Sequence, residues 1–190
     1  MNLLTEEEGK YAVDAAVSFV SEAVTGKKEQ HGMPPAVFKE PRGVFVTLTA
    51  DGSLRGCIGY PYPLLPLSDA LKDAAYQAAR ADPRFYPVGK EELSHLDIEV
   101  TVLAPPKTLK VPAKERPKHI EIGKHGLIAE YHGYRGLLLP QVAVEWGWNA
   151  EEFLDQTCVK AGLPPKTWES DACTIQTFEG QIFTRIHPWQ

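Results

Sequence analysis

The chain has 190 residues, which corresponds to one domain of ordinary size or to two small units that share a core. Hydrophobic residues make up 43% and charged residues 24%, which excludes intrinsic disorder, collagen and coiled coil. The net charge of −5 disfavours a general nucleic-acid-binding surface. No apolar run approaches about 18 residues and the N-terminus is acidic, so neither a membrane span nor a signal peptide is expected. Three cysteines without paired spacing favour the reducing cytoplasm.

The N-terminal part predicts a helix followed by a long loop. Thr5 and Glu8 have the spacing of a capping box, which begins a helix, and Gly26 is expected to end it. The segment from Lys27 to Arg42 contains three prolines and is too long for a plain turn. We therefore expect it either to wrap around the body of the protein or to carry function.

A β-hairpin is predicted next. Gly43 to Thr49 is rich in β-branched and aromatic residues, as strands are. The pair Asp51-Gly52 is typical of a two-residue turn, because both central residues of that turn need a positive φ. Ser53 to Tyr60 is the expected return strand, and the prolines that follow it end regular pairing.

A second helix and a half-buried strand follow the hairpin. Ser68 is the predicted N-cap of a helix that runs to about Ala81 and is rich in alanine, which favours close packing against a sheet. Asp82-Pro83 is expected to stop this helix. Residues 96–102 alternate between apolar and polar side chains, which predicts a strand with one buried face.

The C-terminal part follows a proline-rich connection at residues 104–118. The predicted elements are a short strand at Ile120 to Ile122, a hairpin over 127–139, a helix from Pro140 to Trp146, a helix beginning at Asn149, and a strand over 173–186 that is broken near Glu179-Gly180.

This irregular mixture predicts an α+β fold with mainly antiparallel sheets, flanking helices and two lobes. We expect a single domain over residues 1–190, with one sub-lobe at about 38–118 and another formed by 1–37 with 119–190.

The most unusual stretch is Leu54 to Gly59, which reads LRGCIG. Glycines inside a strand mark a bulge or a close approach of backbone or ligand. Arg55 and Cys57 are two residues apart, which places them on one face of the strand. Because a guanidinium near a thiol favours the thiolate, Cys57 is a candidate nucleophile. The candidate ligand contacts in this stretch are Arg55, Gly56, Ile58 and Gly59.

Strand register decides between this site and an ordinary core cysteine. With a two-residue turn, Ala50 pairs with Ser53 and Val46 pairs with Cys57, so the thiol shares a face with core residues. A three-residue turn shifts the register by one and reverses that result. Free cysteine is commonly buried, so packing or site lining competes with catalysis here.

A second candidate site segment is Asp82-Pro83-Arg84-Phe85, directly after the second helix. In the structural interpretation, Asp82 stops the helix and Arg84 caps its last carbonyl groups. In the functional interpretation, Arg84 joins Arg55 around an anionic ligand, because the planar guanidinium suits carboxylate or phosphate. Asp82, Arg84 and Phe85 are therefore added to the candidate ligand-binding residues.

Other motifs are uninformative about chemistry. The six histidines lack the spacing of a metal site and no nucleotide-binding loop occurs, so neither a metal nor a cofactor is expected. Cys158 lies on the apolar face of its predicted helix and is interpreted as core. One basic run is interpreted as a solvated loop; it consists of Lys107, Lys110, Lys114, Arg116 and Lys118.

The sequence resembles the AMMECR family over nearly its whole length. The blocks that carry the resemblance, in order, are Gly43 to Leu48, Leu54 to Gly59, Asp82 to Phe85, Leu138 to Ala143, Glu145 to Trp148 and Cys158 to Leu163. The resemblance implies an α+β architecture of two lobes, with the functional element at Arg55 to Gly59. It also implies kinship with proteins that occur beside, or fused to, Memo-like proteins and radical SAM enzymes. It implies no particular reaction.

Three functions follow from these observations. The first is an accessory or regulatory binding module, in which a cleft beside Arg55, Cys57 and Arg84 takes a small anionic ligand or the tail of a partner protein. The second is an enzyme that uses Cys57 as its nucleophile, for which His95 and His125 are candidate bases. The third is nucleic-acid binding, which the net charge makes the weakest of the three.

Overall fold

The computed structural model describes residues 3–29 and 31–190. The fold is α+β with antiparallel strand pairing, as predicted. Its helices are α1 (Glu6–Thr25), α2 (Leu67–Arg80), α3 (Pro140–Trp146) and α4 (Ala150–Lys160). Its strands are β1 (Val44–Ala50), β2 (Ser53–Tyr60), β3 (Leu96–Leu103), β4 (Lys107–Thr108), β5 (His125–Tyr131), β6 (Tyr134–Leu138) and β7 (Thr174–Arg185). Short 3₁₀ helices occur at Ala36–Lys39, Lys90–His95, Ala113–His119 and Thr167–Glu169.

The first compact unit contains the described residues up to Ala104 together with Gln181–Gln190. Its strands lie in the order β2-β1-β3-β7, and α1 and α2 pack against one another. Alternate residues of β1 and β3 are fully buried, because one face of these strands lies under the helices. This face carries the core of the unit, and α2 lies directly over β1 and β2.

The second compact unit is Pro105–Gly180. Its strands lie in the order β7-β5-β6, and β4 also pairs with β7. Helix α4 packs on β5 and β6, while α3 contacts β5. The core of this unit includes Leu127 from β5, Phe153 and Leu154 from α4, and Ile175 from β7.

Local sequence signals predicted most of these boundaries. The capping boxes at Thr5 and at Asn149 are both present, and Gly147 ends α3 in a left-handed conformation. Ser68 is not the N-cap, because α2 begins at Leu67, two residues earlier than predicted, and its N-cap is Pro66.

Two predictions about strands were wrong. The segment from Ile120 to Ile122 follows a 3₁₀ helix and enters turns instead of pairing as a strand. Strand β7 is not broken near Glu179 and Gly180 but continues from Thr174 to Arg185. Glu179 is the last β7 residue that pairs with β5. At this point β7 therefore changes its pairing partner but does not end.

The division into units differs from the sub-lobes expected from the sequence. Helix α1 packs against α2 and β3, so it lies in the same unit as the first hairpin. The chain passes between units at Pro105, at the start of the proline-rich connection. Among the described residues, no helix combines the length and the apolar character needed to cross a bilayer.

Candidate functional site

A β-bulge at Arg55 sets the geometry of the first candidate segment. Asp51 and Gly52 form a two-residue turn with φ values of 49° and 75°, and Ala50 pairs with Ser53. Thr49 then pairs with Leu54, but Leu48 pairs with Gly56, so Arg55 is the extra residue of β2.

The bulge reverses the pairing expected for Cys57. Cys57 lies opposite Thr47, and Val46 lies opposite Ile58. The prediction that a two-residue turn would place Cys57 opposite Val46 was therefore wrong, although the turn itself has two residues. The extra residue shifts the register by one after the turn, and every later side chain of β2 changes face.

The neighbouring residues pack within the first unit. A Cβ atom on Gly56 would lie 2.2 Å from the carbonyl oxygen of Ala78, so only glycine lets α2 approach the strand this closely. A Cβ atom on Gly59 would lie 2.2 Å from the carbonyl oxygen of Val44. Ile58 packs against the core. Because side chains alternate along a strand, the Cys57 thiol lies on the face turned away from α2.

Cys57 is half-buried and is held by contacts on its side chain and on its backbone. The Thr47 hydroxyl donates a hydrogen bond to the sulfur at 3.2 Å. The Cys57 N–H donates to Oδ2 of Asp82 at 2.9 Å, and the Cys57 carbonyl oxygen accepts from Nη2 of Arg84 at 3.0 Å. Sequence reasoning placed Cys57 and Arg84 beside one cleft and added Asp82 to the ligand-binding residues, and the structure brings all three into direct contact.

The Asp82 carboxylate is the centre of this cluster. Its side chain is 2% exposed and accepts from Nε of Arg84 at 3.0 Å and from Nη2 at 2.8 Å. It also accepts from the backbone N–H groups of Cys57 and Arg84. The hydrogen bonds from Arg84 are the main reason that the pKa of Asp82 lies well below its usual range. The pKa of Arg84 is raised, chiefly by Asp82 and to a smaller extent by the Cys57 thiol.

The expected capping role of Arg84 was wrong. The hydrogen bonds of its side chain go to Asp82 and to the Cys57 backbone, and none goes to a carbonyl group of α2 among the described residues. Arg84 therefore joins the segment after α2 to strand β2, instead of closing the end of the helix.

Arg55 is fixed by a carboxylate that the sequence reasoning missed. Its Nε and Nη2 donate to the two oxygens of Glu92 at 2.7 and 3.0 Å. These hydrogen bonds lower the pKa of Glu92. Glu92 also accepts from the N–H of Gly89 at 2.8 Å, in a capping arrangement at the 3₁₀ helix. In the sequence, the only signal for Glu92 is its position three residues after Gly89, which is the spacing of a capping box.

The ring of Phe85 lies near both arginines. The guanidinium carbon of Arg84 is 5.5 Å from the ring centroid, and that of Arg55 is 6.0 Å from it. Both distances fall within the range of a cation–π contact. Arg55, Arg84 and Phe85 thus form one cluster, with Cys57 joined to it through Arg84.

Comparison with known proteins agrees with the block pattern in the sequence. A model of the AMMECR1 family matches residues 11–183. The chain belongs to the AMMECR1 family. Protein MJ0810 from Methanocaldococcus jannaschii is 50% identical to it over 191 residues, covering 99% of this chain and 95% of that protein. Protein PF1979 from Pyrococcus furiosus is 45% identical over 196 residues, covering 99% and 93%.

A solved structure shares the fold of this AMMECR1 chain. The crystal structure of the uncharacterised protein PH0010 from Pyrococcus horikoshii matches with a TM-score of 0.77 and 44% sequence identity. The match covers 96% of this chain and 93% of that one. The resemblance inferred from the sequence blocks is therefore confirmed, and with it the α+β architecture.

Two further sequence interpretations concern residues of the second unit. Cys158 is fully buried in its core, as expected. The four lysines of the basic run are exposed, as expected, but the run is not a single loop, because Lys107 lies in β4 and the 3₁₀ helix Ala113–His119 contains Lys114 and Lys118. The interpretation is also wrong for Arg116, which is buried, with 4% of it accessible. Among the described residues, no group of three or more His, Cys, Asp or Glu side chains could hold a metal ion.

Proposed function

We propose that this AMMECR1 protein is an accessory binding module, and that the cluster of Arg55, Cys57, Arg84 and Phe85 takes an anionic group. That group belongs either to a small ligand or to the tail of a partner protein. The observation that carries the proposal is the bidentate fixation of both arginines around one aromatic ring.

Fixation of the arginines lowers the entropic cost of binding. An arginine side chain that is not restrained by other residues loses conformational freedom when it binds a ligand, and this loss weakens affinity. Here the carboxylates of Glu92 and Asp82 hold the Nε and Nη2 atoms of each arginine. The Nη1 groups lie outside these ion pairs, and the Arg84 side chain is 52% exposed. Arg84 is therefore an oriented donor open to an outside acceptor.

The same ion pairs limit the contribution of net charge. Two arginines face two carboxylates, so the cluster is close to neutral. We therefore expect a bound anion to gain directed hydrogen bonds more than long-range attraction, with a weak dependence on salt. This expectation separates the proposed site from a nucleic-acid surface, where affinity falls steeply with salt.

A thermal-shift screen of anionic small molecules tests the proposal. Ligands that stabilise the wild type should lose most of their effect in Arg84→Ala and Arg55→Ala, and keep it in Lys39→Ala, which removes an exposed lysine of the same unit. The measured quantity is the shift that the ligand causes in each variant, because Arg84→Ala also changes the basal stability. Equal ligand shifts in all four proteins would contradict the proposal.

Memo-like and radical SAM proteins are the partners that we propose for this module. The support is the kinship that the family resemblance implies. A pull-down with purified candidates should retain a partner on the wild type and lose it on Arg84→Ala. Retention by both proteins would support a partner but contradict the proposed surface, and absence of retention by the wild type would contradict the partner.

The alternative function is an enzyme with Cys57 as nucleophile. Two contacts favour it: the Thr47 hydroxyl donates to the sulfur at 3.2 Å, and Nη2 of Arg84 donates to the carbonyl oxygen of the same cysteine at 3.0 Å. Alkylation of Cys57 as a function of pH tests it. An activated thiol reacts well below pH 8.5, roughly the midpoint of an ordinary cysteine. A profile that follows the ordinary midpoint, or no reaction in the folded protein, would contradict the enzyme.

A further inference from the structure

A groove in the second unit contains a buried arginine with incomplete hydrogen bonding. The groove has a volume of about 410 Å³. Its polar lining includes Arg116, Lys110 and Asp171, and Cys173 also lies in its wall. Nothing in the proposed function of the first unit uses these residues.

Arg116 is held by backbone carbonyl groups alone. Nη1 donates to the carbonyl oxygens of Trp168 and Ser170, and Nη2 donates to that of Cys173 at 2.8 Å. Nε is buried and has no hydrogen-bond partner within the described part of the chain. Nη2 makes one such bond although it carries two N–H groups. Two of the five N–H groups of this guanidinium therefore lack a partner.

The charge of Arg116 also lacks a carboxylate. Among residues 3–29 and 31–190, no Asp or Glu oxygen lies within ion-pair distance of it. Carbonyl dipoles offset part of a positive charge, but a buried charge normally has a counter-ion. A trapped water molecule would satisfy the Nε N–H group but would supply no negative charge.

We propose that this groove binds a small organic monocarboxylate, with the carboxylate facing Arg116. With the Cys173 thiol protonated, the lining carries two positive charges and one negative charge, so a single negative charge balances the groove. The accessible apolar lining includes Leu109, Val111 and Pro112, which suits an aliphatic chain. The volume exceeds the need of an inorganic ion and fits a molecule of several carbon atoms.

Arginine Nε–H spectra of the ¹⁵N-labelled protein test the proposal directly. The probes are hexanoate, acetate and inorganic phosphate, and Arg116→Lys identifies the Arg116 signal by its loss. Hexanoate should shift the Arg116 signal and leave that of Arg55 unchanged. It should bind roughly tenfold or more tightly than acetate, because each methylene removed from water contributes about fourfold.

A matched pair of charge reversals provides the control. Lys110→Glu places a negative charge in the lining and should weaken hexanoate binding about three- to tenfold. Lys114→Glu makes the same change in net charge at an exposed residue outside the lining, and should leave binding within about twofold. Both lysines are exposed, so neither variant is expected to unfold the protein.

Three results would overturn the proposal. The first is an Arg116 signal that does not respond to hexanoate. The second is an equal response to hexanoate, acetate and phosphate, which would mean an adventitious ion only. The third is an equal loss of binding in Lys110→Glu and Lys114→Glu, which would mean nonspecific attraction. None of these results depends on the site at Arg84, because the groove and that cluster consist of different residues in different units.

Discussion

Two arginines of the protein are fixed in opposite ways. Arg84, in the first unit, is half exposed and shares a buried carboxylate, Asp82, with the backbone of Cys57. Arg116, in the second unit, is almost fully buried and is held by three carbonyl groups without a carboxylate. The half-exposed charge is therefore paired with a carboxylate, and the buried one is not.

The difference teaches what each arginine does for the fold. At Arg84 the buried group that depends on the ion pair is the carboxylate, because Asp82 is 2% exposed and Arg84 can still reach water. At Arg116 the buried group is the guanidinium itself, and the three carbonyls depend on it. Substitution of the arginine should therefore cost more in the second unit, and substitution of the acid should cost more than substitution of the arginine in the first.

The largest expected effect is that of Arg116→Lys. Lysine keeps the charge but cannot reach three carbonyl groups with the geometry of a guanidinium, so at least one buried acceptor is left unsatisfied. We expect the free energy of unfolding to fall by about 3 kcal/mol. Urea denaturation followed by circular dichroism measures it.

The matched substitution in the first unit is Arg84→Lys, which should cost about 1 kcal/mol or less, since Arg84 is half exposed. Equal losses in the two variants would contradict the distinction between the two arginines.

Asp82→Asn is expected to have the next largest effect. The amide keeps the size of the carboxylate, but it can accept fewer of the hydrogen bonds from Arg84 and from the Cys57 N–H. We expect a loss of about 2 kcal/mol in unfolding free energy. The control is Asp51→Asn in the exposed hairpin turn, where asparagine tolerates the left-handed conformation. A loss of similar size at Asp51 would show that the effect is not specific to the buried cluster.

The hairpin shows how much of the candidate site could be predicted from the sequence. The turn at Asp51-Gly52 and both strands follow from local propensity, and the structure has them. The glycines of β2 indicated a bulge or a close approach, but no local preference placed the extra residue at Arg55, and the Ala78 carbonyl group that approaches Gly56 is distant in the sequence. The extra residue moves Cys57 from the core face to the other face of the strand.

The partners of the arginines were harder to predict than the arginines themselves. Glu92 is 37 residues from Arg55 along the chain, so no spacing rule connects them. Arg116 stands among lysines in a basic run, and the composition of the run indicated a solvated loop. Only the fold shows that Arg116 reaches carbonyl groups more than 50 residues away. Ion pairs and buried charges of this kind are decided by long-range packing.

The pH dependence of stability separates Asp82 from other carboxylates. The pKa of Asp82 is lowered in the folded protein, chiefly by Arg84. Its contribution is therefore complete above the ordinary aspartate pKa of about 3.9 and is lost as the pH falls toward the folded value.

Wild type should accordingly exceed Asp82→Asn in melting temperature at pH 6, and the gap should narrow progressively below about pH 4. Thermal unfolding of both proteins at pH 6, 4 and 3 measures this gap. A constant gap over that range would mean that ionisation of Asp82 is not what stabilises the cluster.

The smallest expected effect concerns the cysteines. Their rates of alkylation compare how accessible side chains are in the two units. Cys57 is half-buried, whereas Cys158 and Cys173 are buried. A hydrogen bond from Cys158 and the charge of Arg116 lower the pKa of Cys173. Cys173 is therefore the first of the two buried thiols to ionise as the pH rises, but its burial restricts access by a reagent.

Brief treatment of the folded protein with iodoacetamide at pH 7.5 should label Cys57 first and leave Cys158 and Cys173 unlabelled until denaturant is added. Peptide mass spectrometry measures all three in one sample, and Cys57→Ser provides the background. Labelling of Cys173 before Cys57 would show that the second unit opens readily around Arg116. Once opening no longer limits access to Cys173, the order of labelling would be set by the ionisation of the thiols.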